Sequence, residues 1–431
     1  EEVLPGRVDL NGTLIKRIDA ASAGNADAVV KYASQIQGLK NTLKRAQGEL
    51  DGLRRSDAVA ERARDEAAML AWVGKQPGAK ALQADIKAVQ ALIAGSQATR
   101  DRDGLFAALA SQTQLLKSAM QLQRLAVERG KPDAERKSGY QQRDVATIEG
   151  ALKQTQRRYD AKVEQAILAE LLARYRALPA SQRIAEVDAV FGTDAASTDA
   201  ALKALYAGTR LGDEAERLRL LGASPADVQA SQDPLMQAAA KLTVAALRID
   251  DADKASNGDL LRLRPAYMQA LIGYRQSQGR AVYPDANSTL RVSYGQLQSL
   301  DPRDGVHYTP VTRVAGIVEK NTGEFPFDAP KPLLDAIARG DFGSTADPAL
   351  KTQTVNFLTN LDTTGGNSGS PVLNARGELI GLNFDSNWEA VSASWWFDPR
   401  YKRAVHVDMR YMRWLMDKVY PAPHLLREMG L

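Results

Sequence analysis

The chain has 431 residues, of which 44% are hydrophobic and 25% are charged, so it is long enough for several domains and too apolar to be wholly disordered. Its 56 Lys and Arg residues barely exceed its 52 Asp and Glu residues, which gives no reason to expect nucleic-acid binding. Cysteine is absent, which excludes thiolate catalysis, disulfides and zinc held by cysteine. No run of 18 apolar residues occurs, so we expect no membrane-spanning helix.

The first 283 residues are rich in Ala, Leu, Gln, Arg and Glu, which favour helices. An apolar stripe with spacings of three and four predicts one helix of a bundle. Further helices are predicted from Leu105 to about Arg129 and from Asp133, as the N-cap, to Leu178. The stripe consists of Ile36, Leu39, Leu43, Ala46, Leu50 and Leu53.

Near Pro284 the pattern changes from helical to alternating. Leu290, Val292 and Tyr294 alternate with polar or small residues, as on a half-buried strand. Similar short runs at 309–318, 352–359, 378–384 and 390–397 predict further strands, and the tail from Met409 to Val419 is again helical. The sequence therefore predicts an α+β multidomain protein, with a large helical domain over residues 1–283 and an antiparallel β-barrel over residues 284–431.

The segment 363–385, TTGGNSGSPVLNARGELIGLNFD, has a serine among small residues, as in a tight turn with an exposed hydroxyl. In such a turn the backbone amides of Gly366 and Ser368 can point to one spot and form an oxyanion hole. The residues that follow predict a β-hairpin behind the turn. We therefore expect Ser368 to be the nucleophile of a serine peptidase.

This segment resembles the nucleophile region of chymotrypsin-like serine peptidases, although Asn367 stands where most members have Asp. The resemblance narrows to the dipeptidyl peptidase 7 and 11 family, on YPDANSTLRVSYG at 283–295, GGNSGSPVLN at 365–374 and NFDSNWE at 383–389. It implies a two-barrel chymotrypsin fold in which a helical domain caps the active site. It also implies an enzyme that removes dipeptides from the free N-termini of oligopeptides, without a metal or cofactor. Such enzymes are homodimers in the periplasm or at the cell surface of Gram-negative bacteria.

A serine nucleophile needs a base and a group that orients the base. The three histidines, His307, His406 and His424, do not fit the chymotrypsin order, and we expect them to be structural or solvated. The resemblance implies that the catalytic His and Asp lie on a first barrel, upstream of the helical domain. We therefore expect this chain to be the C-terminal part of a longer enzyme, which would be exported by a signal peptide.

The resemblance also implies three substrate-binding positions. Asp385 and Asn41 are expected to hold the α-ammonium group of the substrate, since an exopeptidase must fix that group at a set distance from the serine. Ser386 is expected in the pocket for the residue before the cleaved bond, where serine or arginine accompanies a preference for Asp or Glu and glycine an apolar preference. Serine brings no positive charge, so an acidic preference would need a Lys or Arg from elsewhere.

Three alternatives remain at this point. One is the same exopeptidase with an apolar preference, as in dipeptidyl peptidase 7. Another is a glutamate-specific or trypsin-like endopeptidase, which the helical region opposes because a simple endopeptidase needs no cap. The third is a non-catalytic helical binding protein with a degenerate peptidase barrel.

Overall fold

The computed structural model describes residues 2–280, 282 and 288–431, and this part of the chain is mostly helical with small antiparallel sheets. It divides into two compact units, each described by itself below. The helical unit consists of Gly6–Leu43 and Arg64–Tyr283. The sheet unit consists of Glu1–Pro5, Lys44–Ala63 and Pro284–Leu431. Residues 283–287, where the motif at 283–295 and the proposed domain boundary begin, lie outside the described residues, and the division into domains 1–283 and 284–431 stays a prediction.

Helices make up most of the chain between Val3 and Ser277, and their core runs through the helical unit. Helix α12 packs against α4 and α5, and α7 packs against α9. The bounds are α1 Val3–Ser22, α2 Ala26–Arg55, α3 Ala58–Val73, α4 Ala79–Ser111, α5 Leu115–Arg129, α6 Val145–Gln154, α7 Ala161–Arg176, α8 Ala185–Phe191, α9 Ala195–Gly208, α10 Glu214–Gly222, α11 Pro225–Gln229 and α12 Pro234–Ser277.

The helix predicted over the apolar stripe is present as α2, with Leu39 and Ala46 buried. The helix predicted from Asp133 to Leu178 is wrong, because the chain turns between Asp133 and Asp144. The carboxylates of these two residues accept backbone amides of the turn, from Gln142 and Gly139 respectively, and so compete with helical hydrogen bonds. Only from Val145 does a regular helix form.

The helix predicted from Leu105 to Arg129 is also interrupted, between α4 and α5. There the buried carboxylate of Glu164, on α7, accepts the backbone amides of Gln114 and Leu115 and the hydroxyl of Tyr206. A side chain from a distant helix thus caps the start of α5, which the local sequence pattern does not show.

The sheet unit contains a two-stranded sheet, β1–β2, and a five-stranded antiparallel sheet in the order β3-β4-β7-β6-β5, as far as the described residues show. A small core of apolar side chains around Trp414 packs beside the larger sheet. The bounds are β1 Leu300–Arg303, β2 Val306–Tyr308, β3 Val311–Arg313, α13 Ala315–Lys320, α14 Lys331–Arg339, β4 Thr354–Thr359, β5 Pro371–Leu373, β6 Leu379–Ser386, β7 Ala404–Asp408, α15 Met409–Trp414 and α16 Pro423–Glu428.

Two of the predicted strands are wrong. Leu290 and Tyr294 are each 93% exposed, and their segment forms no strand. Further along this segment, the chain is held to the end of β4 by the Gln296 amide, which donates to the Asn360 side chain. The run at 390–397 lies largely in a 3₁₀ helix, Trp388–Ser394. Residues 352–359 and 378–384 do contain strands, whereas 309–318 contains only the short β3 before α13 begins. The tail from Met409 is helical as predicted.

That 3₁₀ helix packs against the C-terminal half of α2, within the sheet unit. Gly48 and Gly52 allow the close approach, because a Cβ on Gly48 would lie 3.2 Å from Trp388 and one on Gly52 would lie 2.8 Å from the Cβ of Ser392. The end of α2 therefore supports the segment that directly follows strand β6.

Candidate active site

The turn at 363–370 is fixed by hydrogen bonds to strand β6. The Gly369 amide donates to the Asn383 carbonyl at 2.7 Å, and the Asn383 amide donates back to the Ser370 carbonyl at 2.9 Å. Gly366 and Gly369 have φ angles of 104° and 85°, which glycine adopts without the steric cost that a Cβ would bring. The glycine-rich sequence is thus what allows this tight turn.

Ser368 lies at the exposed apex of the turn. Its hydroxyl donates to the Phe384 carbonyl on β6, at 3.4 Å. Among the residues that the structure describes, no histidine nitrogen lies within hydrogen-bonding distance of the Ser368 Oγ. The hydroxyl is therefore accessible, and within this part of the chain it has no base.

The backbone amides of the turn fall into two groups. Those of Asn367, Gly369 and Ser370 donate to carbonyl groups of the protein. Those of Gly366 and Ser368 donate to no acceptor within the described chain. The amides of Gly366 and Ser368, which the sequence predicts for an oxyanion hole, are thus among the turn amides that have no acceptor in the described chain, as are those of Thr363 and Gly365.

Strand β6 places Asp385 and Ser386 directly after the carbonyl that accepts the Ser368 hydroxyl. The β6–β7 pairing is irregular between Asn383 and Asp385, as in a β-bulge, a feature that often re-aims side chains beside active sites. Asp385 is exposed and its carboxylate accepts the Ser386 amide at 2.8 Å, while Ser386 is half-buried. Three of the predicted site residues thus lie near one another in the sheet unit, with Ser368 on the turn and Asp385 and Ser386 on the strand that accepts its hydrogen bond.

Lys402 is a residue of this region that sequence reasoning missed. Only 1% of it is exposed, and its Nζ donates to the Ser386 Oγ. The pairing of β6 with β7 brings the two together, because Ser386 lies opposite Ala404 and the Asn387 amide donates to the Arg403 carbonyl. The only signal in the sequence was the requirement for a cation somewhere near Ser386.

Burial governs the charge of both Lys402 and its neighbour His406. It lowers the pKa of Lys402 to about 8, against the opposing effect of the Asp362 and Asp385 carboxylates. Burial, with the nearby Lys402 charge, also lowers the pKa of His406 to about 4. His406 is fully buried, and its Nε2 lies 2.6 Å from the Thr359 hydroxyl.

The other two histidines are on the surface. The Nδ1 of His307 lies 2.6 Å from an Asp301 carboxylate oxygen on the β1–β2 sheet. His424 is exposed at the start of α16. Neither contacts the Ser368 turn through any hydrogen bond between described residues.

Asn41 belongs to the helical unit, whereas the other predicted site residues belong to the sheet unit. It is exposed on α2, and its side-chain oxygen accepts a hydrogen bond from the Gln37 amide group at 2.9 Å. Its contact with a substrate stays a prediction.

Two other features are absent from the described residues. They contain no group of three or more His, Cys, Asp or Glu side chains placed to hold a metal ion. None of the helices they form has the length and apolar character needed to cross a membrane.

Comparison with solved structures finds the same architecture. The crystal structure of Porphyromonas endodontalis DPP11 matches with a TM-score of 0.74 at 25% identity, over 98% of this chain and 60% of that one. The same protein in complex with the dipeptide Arg-Glu matches with a TM-score of 0.73 at 25% identity, over 98% and 60% of the two chains.

The chain is also similar in sequence to proteins named as dipeptidyl-peptidases. The Asp/Glu-specific dipeptidyl-peptidase of Shewanella putrefaciens is 38% identical over 97% of this chain and 59% of the relative. The protein of the same name from Porphyromonas endodontalis is 29% identical, over 98% of this chain and 58% of the relative. The chain thus spans about three-fifths of the length of these relatives. The family model for peptidase S46 matches residues 1–431, and the chain belongs to the peptidase S46 family.

Proposed function

We propose that the natural protein containing this chain is a serine-type dipeptidyl peptidase, which releases dipeptides from free N-termini and prefers Asp or Glu before the cleaved bond. The observation that carries this proposal is the exposed Ser368 hydroxyl, held against the strand that also carries Asp385 and Ser386. The preference is supported by the relatives named as Asp/Glu-specific enzymes.

In the proposed reaction the Ser368 Oγ attacks the carbonyl carbon of the second substrate residue. A base takes the hydroxyl proton and returns it to the leaving amine, and water then hydrolyses the dipeptidyl ester and restores the serine. The free amides of Gly366 and Ser368 stabilise the oxyanion. Because no histidine reaches Ser368 within the described residues, we assign the base and its orienting carboxylate to an upstream N-terminal barrel, as the resemblance implies.

Substrate length and specificity are assigned to separate side chains. Asp385 accepts the α-ammonium group of the substrate through a charge-assisted hydrogen bond, and Asn41 is proposed to contribute an amide oxygen to the same group. Ser386 donates its hydroxyl to the acidic side chain of the second residue. This arrangement requires a free N-terminus, which distinguishes the proposal from an endopeptidase.

Three further proposals, on the fold, the oligomeric state and the location of the enzyme, also rest on the family resemblance. The five-stranded sheet is proposed to be part of the second barrel of a two-barrel chymotrypsin-like fold, with the helical unit as its cap. Its antiparallel order, together with the nucleophile turn that precedes β5, supports this assignment. The enzyme is further proposed to act as a homodimer in the periplasm or at the cell surface.

The test compares Ser368→Ala with Ser370→Ala in the full-length natural protein. Both variants remove one hydroxyl from the same turn, so a purely structural effect would be similar in the two. We expect Ser368→Ala to abolish release of Leu-Glu from a fluorogenic peptide amide and Ser370→Ala to retain most of it. Full turnover by Ser368→Ala would refute the assignment.

Two further substrates separate the alternatives. Acetylation of the N-terminus should stop cleavage, and continued cleavage would indicate an endopeptidase. A Leu-Leu substrate cleaved better than Leu-Glu would indicate the apolar preference. No cleavage of any of these peptides by the wild type would favour the non-catalytic binding protein.

A further inference from the structure

Lys402 lies behind Ser386 in a buried position, where a lysine is unusual. Its side chain is almost completely buried, and its ammonium group donates a hydrogen bond to the Ser386 hydroxyl oxygen. Lysine is rarely buried without a specific partner, because removal of its charge from water is costly. The partner here is a half-buried residue at the position proposed to recognise the substrate side chain.

The direction of this hydrogen bond determines what Ser386 can do. Lysine can only donate, so the Ser386 oxygen acts as the acceptor in this contact. The hydroxyl proton of Ser386 is then free to be donated to another group. A serine polarised by an ammonium group is a better donor to a carboxylate than a serine alone.

We infer that Lys402, acting through Ser386, supplies the positive charge that makes this enzyme prefer an acidic residue before the cleaved bond. The inference rests on the proposed function and adds to it a specificity residue that lies just before strand β7. Lys402 is a positioning residue in this arrangement, because it contacts Ser386 rather than the substrate.

The charged surroundings of Lys402 allow it to act as a cation at neutral pH. The Asp362 and Asp385 carboxylates favour its charged form, and with a pKa of about 8 it is mostly protonated at pH 7. His406 titrates far lower, at a pKa of about 4, so it stays neutral in this range. Other charged residues line a small hollow together with Lys402, namely Arg55, Glu389 and Asp398.

The test uses two substrates that differ only in the charge of the second side chain, Leu-Glu and Leu-Gln amides, with the full-length natural protein. In the wild type, kcat/KM should be higher for Leu-Glu. Lys402→Met retains the length of the side chain but not its charge, and should reduce the Glu:Gln ratio roughly tenfold or more, because a hydrogen bond to a charged group is lost. The kcat/KM for Leu-Gln should change little.

Ser386→Ala provides a milder second variant, which should reduce the same ratio. If Lys402 acts through Ser386, the double variant should lose little more selectivity than either single variant, and the two effects will not add. Fully additive effects would contradict the proposed connection. If Lys402→Met does not fold, the pH profile of the wild type keeps the inference testable.

The pH profile is a third measurement. The Glu:Gln ratio of kcat/KM should fall as the pH rises through about 8, because kcat/KM reports groups of the free enzyme and Lys402 loses its charge there. The α-ammonium group titrates in the same range but is common to both substrates, so it cancels in the ratio.

Failure of this inference is distinguishable from failure of the proposed function. If Lys402→Met leaves the Glu:Gln ratio of kcat/KM unchanged, whether or not both values fall, the role of Lys402 is overturned. Dipeptide release by the wild type would still support the proposed function. If the wild type releases no dipeptide from either substrate, the proposed function itself is wrong.

Discussion

Gly52 offers a test of how helix α2 supports the candidate site. In an exposed helix interior, Gly→Ala stabilises a protein by about 1 kcal/mol, because alanine has the higher helix propensity. At Gly52, however, the new Cβ would lie 2.8 Å from the Cβ of Ser392, and rotation of the serine side chain cannot relieve that contact. Overpacking of this kind costs about 1–3 kcal/mol, so we expect a net destabilisation of about 1 kcal/mol.

Gly38 is the matched control on the same helix, because a Cβ there would meet no atom within 4 Å. Gly38→Ala should stabilise the protein by about 1 kcal/mol, which makes the two glycines differ by about 2 kcal/mol in their response. A third variant, Ser392→Gly, removes the opposing Cβ, and in that background Gly52→Ala should no longer destabilise.

Urea unfolding can measure both changes in stability, that of Gly52 in the sheet unit and that of Gly38 in the helical unit. Four of the five tryptophans lie between Trp388 and Trp414, so tryptophan fluorescence reports mainly on this unit, and far-UV circular dichroism can follow the Gly38 variant. If Gly52→Ala were as stabilising as Gly38→Ala, the close packing between α2 and the 3₁₀ helix would be wrong.

Three other predictions concern single side chains. Asp385→Asn should raise the KM for Leu-Glu amide roughly tenfold by weakening the bond to the α-ammonium group, whereas Asp335→Asn, on α14, should not change it; equal KM values would contradict the assignment. Glu164→Leu leaves two backbone amides and the Tyr206 hydroxyl without their acceptor, and should lower the free energy of unfolding by about 3 kcal/mol in urea titrations, more than Glu164→Gln does. Burial lowers the pKa of His406 in the folded protein to about 4, so the stability that its neutral form contributes is complete above about pH 6.5 and is lost as the pH falls towards 4. The urea midpoint should therefore drop less between pH 7 and pH 5 in His406→Gln than in the wild type. Identical drops in the two proteins would refute this prediction.

The parts of the fold that the sequence predicts are those set by local patterns. The turn around Ser368 and the hairpin after it follow from glycines with positive φ and from alternating residues over a few positions. The stripe on α2 likewise follows from helical periodicity. Each of these signals is complete within about twenty residues.

The features that were missed depend on contacts between distant segments. The break before Leu115 is capped by Glu164, 49 residues further along the chain. The run at 390–397 is predicted to be a strand, but it lies largely in the 3₁₀ helix Trp388–Ser394. This helix packs against glycines more than 300 residues earlier in the sequence. Apolar and polar residues do alternate around Leu290, as in a half-buried strand. Such alternation produces a buried face only where other residues cover it, and here the apolar side chains are exposed.

In the proposed exopeptidase, strand β6 brings several of the assigned roles together on one short segment. The Asn383 and Phe384 carbonyls hold the turn that carries Ser368, and the next two residues are Asp385 and Ser386. A strand advances about 3.3 Å per residue, so Asp385 lies about 3 Å and Ser386 about 7 Å along the backbone from Phe384, whose carbonyl accepts the Ser368 hydroxyl. In the proposed enzyme, any change in the β6 register would therefore move the carboxylate assigned to the substrate ammonium group and the assigned specificity residue together, and with them the turn that carries the assigned nucleophile.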